Sequence, residues 1–166
     1  MTSLPRMPRG RARSERGFSL IEVLVSLGLM TGVMVAVASM FVLGGSYVKS
    51  GKTLTTATAL GQDMMEDLNK QSYTGLYLLL QGGSPDPNAT SVTSDTRVSG
   101  SVANSLWGNQ IRTSLFKGYS VVTMTPIGGT VTPPTFASGE GIRVSVTLGW
   151  TELRRNRSVK MENVRW

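Results

Sequence analysis

The stretch "RGFSLIEVLVSLGLM" runs from Arg16 to Met30 and contains a single carboxylate, Glu22, at the head of an otherwise uncharged segment. From Val23 to Val48, "VLVSLGLMTGVMVAVASMFVLGGSYV", 26 consecutive residues carry no charge. As a helix this segment covers roughly 39 Å, more than the hydrocarbon core of a bilayer at about 30 Å. Arg6, Arg9, Arg11, Arg13 and Arg16 precede it, whereas only Lys49 and Lys52 follow closely. The positive-inside rule predicts a cytoplasmic amino terminus and an outward-facing remainder beyond Lys49.

Three explanations of this pattern compete. A single-pass anchor accounts for the length of the apolar run. A cleaved secretory signal finds a small-x-small site at Ala36-Val37-Ala38. However, the run exceeds an h-region of about 15 residues and continues well past that site, and Glu22 sits where such a region is purely apolar. The third explanation uses every feature at once. A basic leader ends in Gly17, then come Phe18, the hydroxyl residue Ser19, Leu20-Ile21, Glu22 and the apolar run.

That combination resembles the prepilin signature of type IV pilins and type II secretion pseudopilins. The resemblance implies cleavage between Gly17 and Phe18 by the prepilin peptidase/methyltransferase, N-methylation of Phe18, and use of Glu22 in assembly. A carboxylate inside a bilayer is unfavourable, by about 2.5 to 3.5 kcal/mol at mid-helix and less near the interface. Cleavage would supply a partner, because it exposes an α-amine that ordinarily titrates near about 8. Burial lowers such an amine's pKa and a nearby carboxylate raises it, so amine and acid favour each other's charged forms. Phe18 and Glu22 are four apart, which lets one helix close the pair on itself. The resemblance implies an intersubunit use, with Glu22 of an incoming subunit meeting the terminal amine of a neighbour.

Composition narrows the alternatives. The 166 residues suit one modest domain with an accessory segment. The net charge of +7 is largely the leader's: beyond residue 17 there remain 12 basic and 9 acidic residues. The basicity therefore does not by itself indicate nucleic acid. Cys and His are both absent, which removes disulfides and the commonest metal ligands and nucleophile–base pairs.

After Lys52, Leu54, Ala57, Leu60, Met64 and Leu68 recur at helical spacing, with Asp63, Glu66, Asp67 and Lys70 on the opposite side. Met64 and Met65 are expected to pack this stripe against the globular part. Gly75 is a candidate stop, so one helix from Phe18 to about Ser72 would reach roughly 80 Å. Gly44-Gly45 is its weak point, and Gly28 and Gly32 permit close approach of neighbouring helices. No proline lies between Pro8 and Pro85, unlike many major pilins, which points to a minor subunit.

Residues 81–110 are rich in Gly, Ser, Thr, Asn and Pro and read as a loop. Asp86, Asn88 and Asp95 invite a calcium reading, but no glutamate closes the set at EF-hand spacing, and Asx residues serve turns. "NAT" at Asn88 matches a short glycosylation acceptor pattern. Strands are expected at "KGYSVVTMTPI", at "GIRVSVTLGW" and at "RSVKMENVRW". In the second, Ile142, Val144, Val146, Leu148 and Trp150 alternate with Arg143, Ser145 and Thr147. A turn around Arg154–Asn156 would join the last two into a hairpin. Trp150, Val159, Met161 and Trp166 are expected to cover the outer half of the helix. The Val144-to-Trp150 pattern with its basic turn also resembles minor pilins of the PilV type and pseudopilins of the I type.

Arg154, Arg155, Arg157 and Lys160 make this hairpin basic. It reads either as a solvated turn or as a patch for DNA, an acidic subunit or an anionic surface, although no aromatic interleaves the cations to stack bases. The expected fold is α+β: a leader (1–17), a membrane-spanning assembly helix (18–48), an amphipathic continuation (49–75) and a small antiparallel sheet region (76–166). The expected role is a non-enzymatic, minor structural subunit of a type IV pilus or type II secretion pseudopilus. It needs no cofactor, and its partners are the peptidase, other pilin or pseudopilin subunits and the inner membrane. The alternatives are an adhesive or DNA-binding tip subunit and a membrane-anchored periplasmic domain that never polymerises. A bulky residue in place of Gly17 is expected to leave the arginine-rich leader attached, read as a slower-migrating, uncleaved band on electrophoresis.

Overall fold

The computed structural model describes residues 17–81 and 86–166. The expected leader up to residue 16, and the stretch 82–85, lie outside them. The chain divides into two units, one ending at Gly45 and one running from Ser46 to Trp166. The first helix, α1 (Leu20–Lys70), contributes to both. It begins and ends within two residues of the sequence expectation. In the first unit its apolar side chains are all exposed.

In the second unit one stripe of α1 is buried: Ala57, Leu60, Gly61, Met64 and Leu68. Leu54, expected in this stripe, is 49% exposed. The stripe therefore starts one turn later than its periodicity suggests, because a helix can carry an apolar residue where no neighbour reaches it. Met64 is fully buried and Met65 packs at the edge of the core. The neighbour is a four-stranded antiparallel sheet in the order β1-β2-β3-β4. Its strands are β1 (Val92–Asp95), β2 (Tyr119–Ile127), β3 (Gly141–Glu152) and β4 (Arg155–Arg165).

β3 buries Ile142, Val144, Val146, Leu148 and Trp150, the alternation read from sequence. β2 passes through Pro126, which pairs with Ile142 of β3. This is possible because β1 reaches only Met124, so the ring without an N–H faces an open edge. Gly61 sets how close helix and sheet lie: a Cβ there would sit 2.9 Å from Leu148 Cδ1 and 3.0 Å from Met161 Cε. Ser50 Oγ donates to Glu152 Oε2 at 2.9 Å, Asn163 Nδ2 to Asn69 Oδ1 at 2.9 Å, and Arg165 Nη1 to the Gln71 carbonyl at 2.9 Å. From Ser50 to Gln71 the helix rises about 30 Å, nearly the length of β4, so the two run side by side.

Three expectations are corrected. Gly75 does not end the helical region: Ser72 Oγ accepts from the Gly75 amide at 3.1 Å and starts α2 (Tyr73–Gln81). Residues 81–110 are not a loop throughout, since they include β1 and most of α3 (Val102–Ser114). Ser101 caps α3 by accepting from the Asn104 amide, and Ala103, Trp107, Gly108 and Ile111 face the core. The apolar positions there are few enough for the polar composition to mask them. Trp166 is 84% exposed and its ring lies against Gly141 rather than on the helix.

The outer side of the sheet carries a stack. Gly149 lacks a Cβ, which would fall 2.3 Å from Tyr119 Cζ, so the Tyr119 ring lies on it. The Arg97 guanidinium covers that ring at 4.2 Å and pairs with Asp95 at 2.6 Å. Arg97 holds the Asp95 carboxyl below its usual range. Met64→Ala is expected to lower stability by about 2 to 5 kcal/mol, whereas Leu54→Ala should change it by less than about 0.5 kcal/mol. Denaturant unfolding of the detergent-solubilised chain, followed by tryptophan fluorescence, checks both.

Candidate functional site

The N-terminal features occupy the start of α1. The Ser19 carbonyl accepts from the amides of Glu22 at 2.9 Å and Val23 at 3.2 Å, so Ser19 is the first half-helical residue. Glu22 then stands at the third helical position. The Ser-x-x-Glu sequence there matches a capping-box pattern, but neither side chain makes the capping hydrogen bond, and what Glu22 supplies is an acid in the first turn that complements the helix dipole. Sequence reading missed this dipole contribution of Glu22, although its place in the first helical turn carries the signal. Among the described residues the Glu22 carboxylate makes no side-chain hydrogen bond or ion pair.

The hydroxyls that follow are satisfied within the helix. Ser26 donates to the Glu22 carbonyl at 2.7 Å, Thr31 to Leu27 at 2.7 Å and Ser39 to Val35 at 2.8 Å. This bonding removes their demand for water. Glu22 is thus the one charged group between Leu20 and Gly45, in a helix long and apolar enough to cross a membrane. Phe18 is 81% exposed, and a Cβ at Gly17 would meet nothing within 4 Å. A side chain at position 17 is therefore compatible with the fold of the described residues.

The basic hairpin is arranged differently from its sequence appearance. The connection between β3 and β4 is two residues, Leu153-Arg154, with φ of 46° and 63°. Both central residues of a tight I′ hairpin turn require positive φ, and glycine or asparagine usually supplies it. Their absence is why the sequence placed the turn one to two residues later, at Arg154–Asn156. Strand alternation then divides the cations. Arg155 and Arg157 share the face of Val159 and Met161, whereas Lys160 lies on the reverse with Glu162. Lys160 Nζ is 2.6 Å from Glu162 Oε1. The four candidates therefore do not form one patch.

The Asx residues at 86–95 serve local structure. Asp86 Oδ1 accepts from the Asn88 amide at 2.9 Å, and the Asp86 carbonyl accepts from the Tyr77 hydroxyl. Arg97 holds both Asp95 carboxylate oxygens, Nε donating to Oδ1 and Nη2 to Oδ2. Comparison of the chain with protein families, with curated proteins and with solved structures finds no match.

The Lys160 ammonium keeps the Glu162 carboxyl below its usual range, first by a direct hydrogen bond and then by charge. A carboxyl lowered on folding contributes stability above its unfolded pKa and loses it as pH falls through its folded pKa. Lys160→Gln is expected to move the Glu162 titration upward, and Arg155→Gln to leave it in place, as read by side-chain carboxyl NMR.

Proposed function

We propose that the chain is a structural subunit of a type IV pilus-like or type II secretion filament. In this reading it is made as a precursor in the inner membrane, cut between Gly17 and Phe18, methylated at Phe18 and assembled through its N-terminal helix. The observation that carries the reading is the isolation of Glu22. Every hydroxyl from Ser26 to Ser39 is satisfied internally, so that segment makes no polar demand on its surroundings. The acid alone has a charge to balance. Cleavage before Phe18 creates a cation one residue ahead of the helix cap, at the positive end of the helix dipole, where a carboxylate offsets it.

Filament formation also needs a surface for like helices. The apolar side chains from Leu20 to Leu43 are exposed, and a Cβ at Gly28 or Gly32 meets nothing, which leaves a narrow face for close helix packing. An unpaired buried charge is strongly unfavourable and a well-placed pair is geometrically demanding. An amine–Glu22 contact between subunits would therefore select one register among the many that apolar packing tolerates.

The shape of Glu22 and its charge are separable. A glutamine still suits a capping box but carries no charge. Glu22→Gln and Glu22→Ala are both expected to be processed and inserted normally and to be depleted from sheared filaments. Mass spectrometry of the N-terminal peptide from membranes and from filaments reports both steps. Wild-type incorporation of the Gln variant would rule out a charge-dependent assembly contact at Glu22. A native chain still carrying residues 1–17, or trimmed near Ala38, would overturn the whole reading.

A further inference from the structure

Two turns of the Ser46–Trp166 unit meet beside the α1 turn around Ser50. The Thr151 amide donates to the Phe116 carbonyl at 3.0 Å, which joins the α3–β2 turn to the end of β3. Ser50 Oγ donates to Glu152 Oε2 at 2.9 Å, which joins the same end of β3 to α1. Two large apolar side chains project there without cover: Phe116 is 70% exposed and Leu153 is 77% exposed. Three residues of these turns hold positive φ without being glycine: Lys117 at 52°, Leu153 at 46° and Arg154 at 63°. The left-handed region is unfavourable for side-chain-bearing residues, so these turns present Leu153 and the cations at a conformational cost.

Cations accompany both apolar tips. Lys117 Nζ lies 5.7 Å from the Phe116 ring centroid, and Arg154 and Arg155 follow Leu153. Lys49 and Lys52 flank Ser50 on α1. Of the acids nearby, Glu152 is engaged by Ser50, and Asp63 shares a groove with Lys52 and Ser114 further along the helix. Along the chain, Ser50 follows Val48, the last residue of the uncharged run, by about 3 Å of helical rise. Exposed apolar tips ringed by Lys and Arg fit the boundary of a bilayer. There apolar groups enter the headgroup–acyl zone, while long cationic side chains reach the phosphates. A nucleic acid would use the cations and leave Leu153 and Phe116 unused.

We propose that the Phe116–Lys117 turn and the Leu153–Arg155 hairpin tip form an interfacial contact with anionic phospholipid headgroups. The proposal rests on reading α1 as membrane-inserted, and flotation tests that premise separately. The chain has no cysteine, so Leu153→Cys and Val131→Cys each accept one environment-sensitive fluorophore. Val131 lies in the β2–β3 connection, beyond the opposite end of β2.

The full chain is reconstituted into phosphatidylcholine vesicles with and without phosphatidylglycerol. With phosphatidylglycerol, the label at 153 is expected to shift to the blue and to become several-fold less accessible to an aqueous quencher than the label at 131. Rising salt, or combined Lys117→Glu, Arg154→Glu and Arg155→Glu, should abolish the shift while the chain still floats with the vesicles. A floating chain whose label at 153 behaves like that at 131 in anionic vesicles overturns the contact and leaves the anchor standing. Shielding of 153 only within assembled filaments assigns the tip to a neighbouring subunit and likewise overturns the proposal. A chain that fails to float overturns anchor and contact together.

Discussion

The contact at Gly61 governs the second unit. With no Cβ on the helix at that point, Leu148 and Met161 come up against the helix itself. Glycine in a helix interior costs about 1 kcal/mol relative to alanine, and here close helix–sheet packing offsets it. Ala57, Leu60, Met64 and Leu68 lie buried on the same stripe and join the core to which β3 contributes Ile142, Val144, Val146, Leu148 and Trp150. The close approach at Gly61 also brings the polar staples into range at both ends of the strand pair, from Ser50–Glu152 to Gln71–Arg165. A larger residue there would displace the ends of the Leu148 and Met161 side chains from the helix surface.

The same helix meets two environments, and its side chains are chosen accordingly. From Leu20 to Gly45 it buries nothing within its own chain and satisfies its hydroxyls by bonding back to the preceding turn. From Ala57 to Leu68 it has one covered stripe and a charged opposite side, where Lys70 pairs with Glu66 and Asp67. The boundary between the units falls between Gly45 and Ser46. Glu22 stands apart from both regimes, as an acid that helps to start the helix and has no side-chain partner among the described residues.

At the hairpin, strand alternation overrides composition. A run dense in arginine looks like one basic surface, but successive residues of a strand point to opposite faces. Lys160 is neutralised by Glu162 on the outer face, while Arg155 and Arg157 stay on the helix side. What remains at the tip is Arg154 beside Leu153, joined by Lys117 from a turn distant in sequence. That pairing of charge with exposed apolar surface differs in kind from the linear cluster read along the chain.

By itself the sequence determined the elements whose signals are periodic or long: the apolar run, the stripe from Ala57 to Leu68, and the three long strands. Each side chain there answers to a repeat of two or of about 3.6 residues, which survives without knowledge of neighbours. Short elements lacked that redundancy. β1 has four residues and α3 hides its few apolar positions among Asn, Ser and Gly, so only pairing with β2 and cover from the core make them regular. The turn at Leu153-Arg154 was likewise decided by strand register, because no local residue there prefers positive φ. Tertiary structure alone chose Leu148 and Met161 to fill the space at Gly61, laid Trp166 on Gly141, and brought Phe116 beside the β3 end. Those are relations between surfaces far apart along the chain, and no local propensity encodes them.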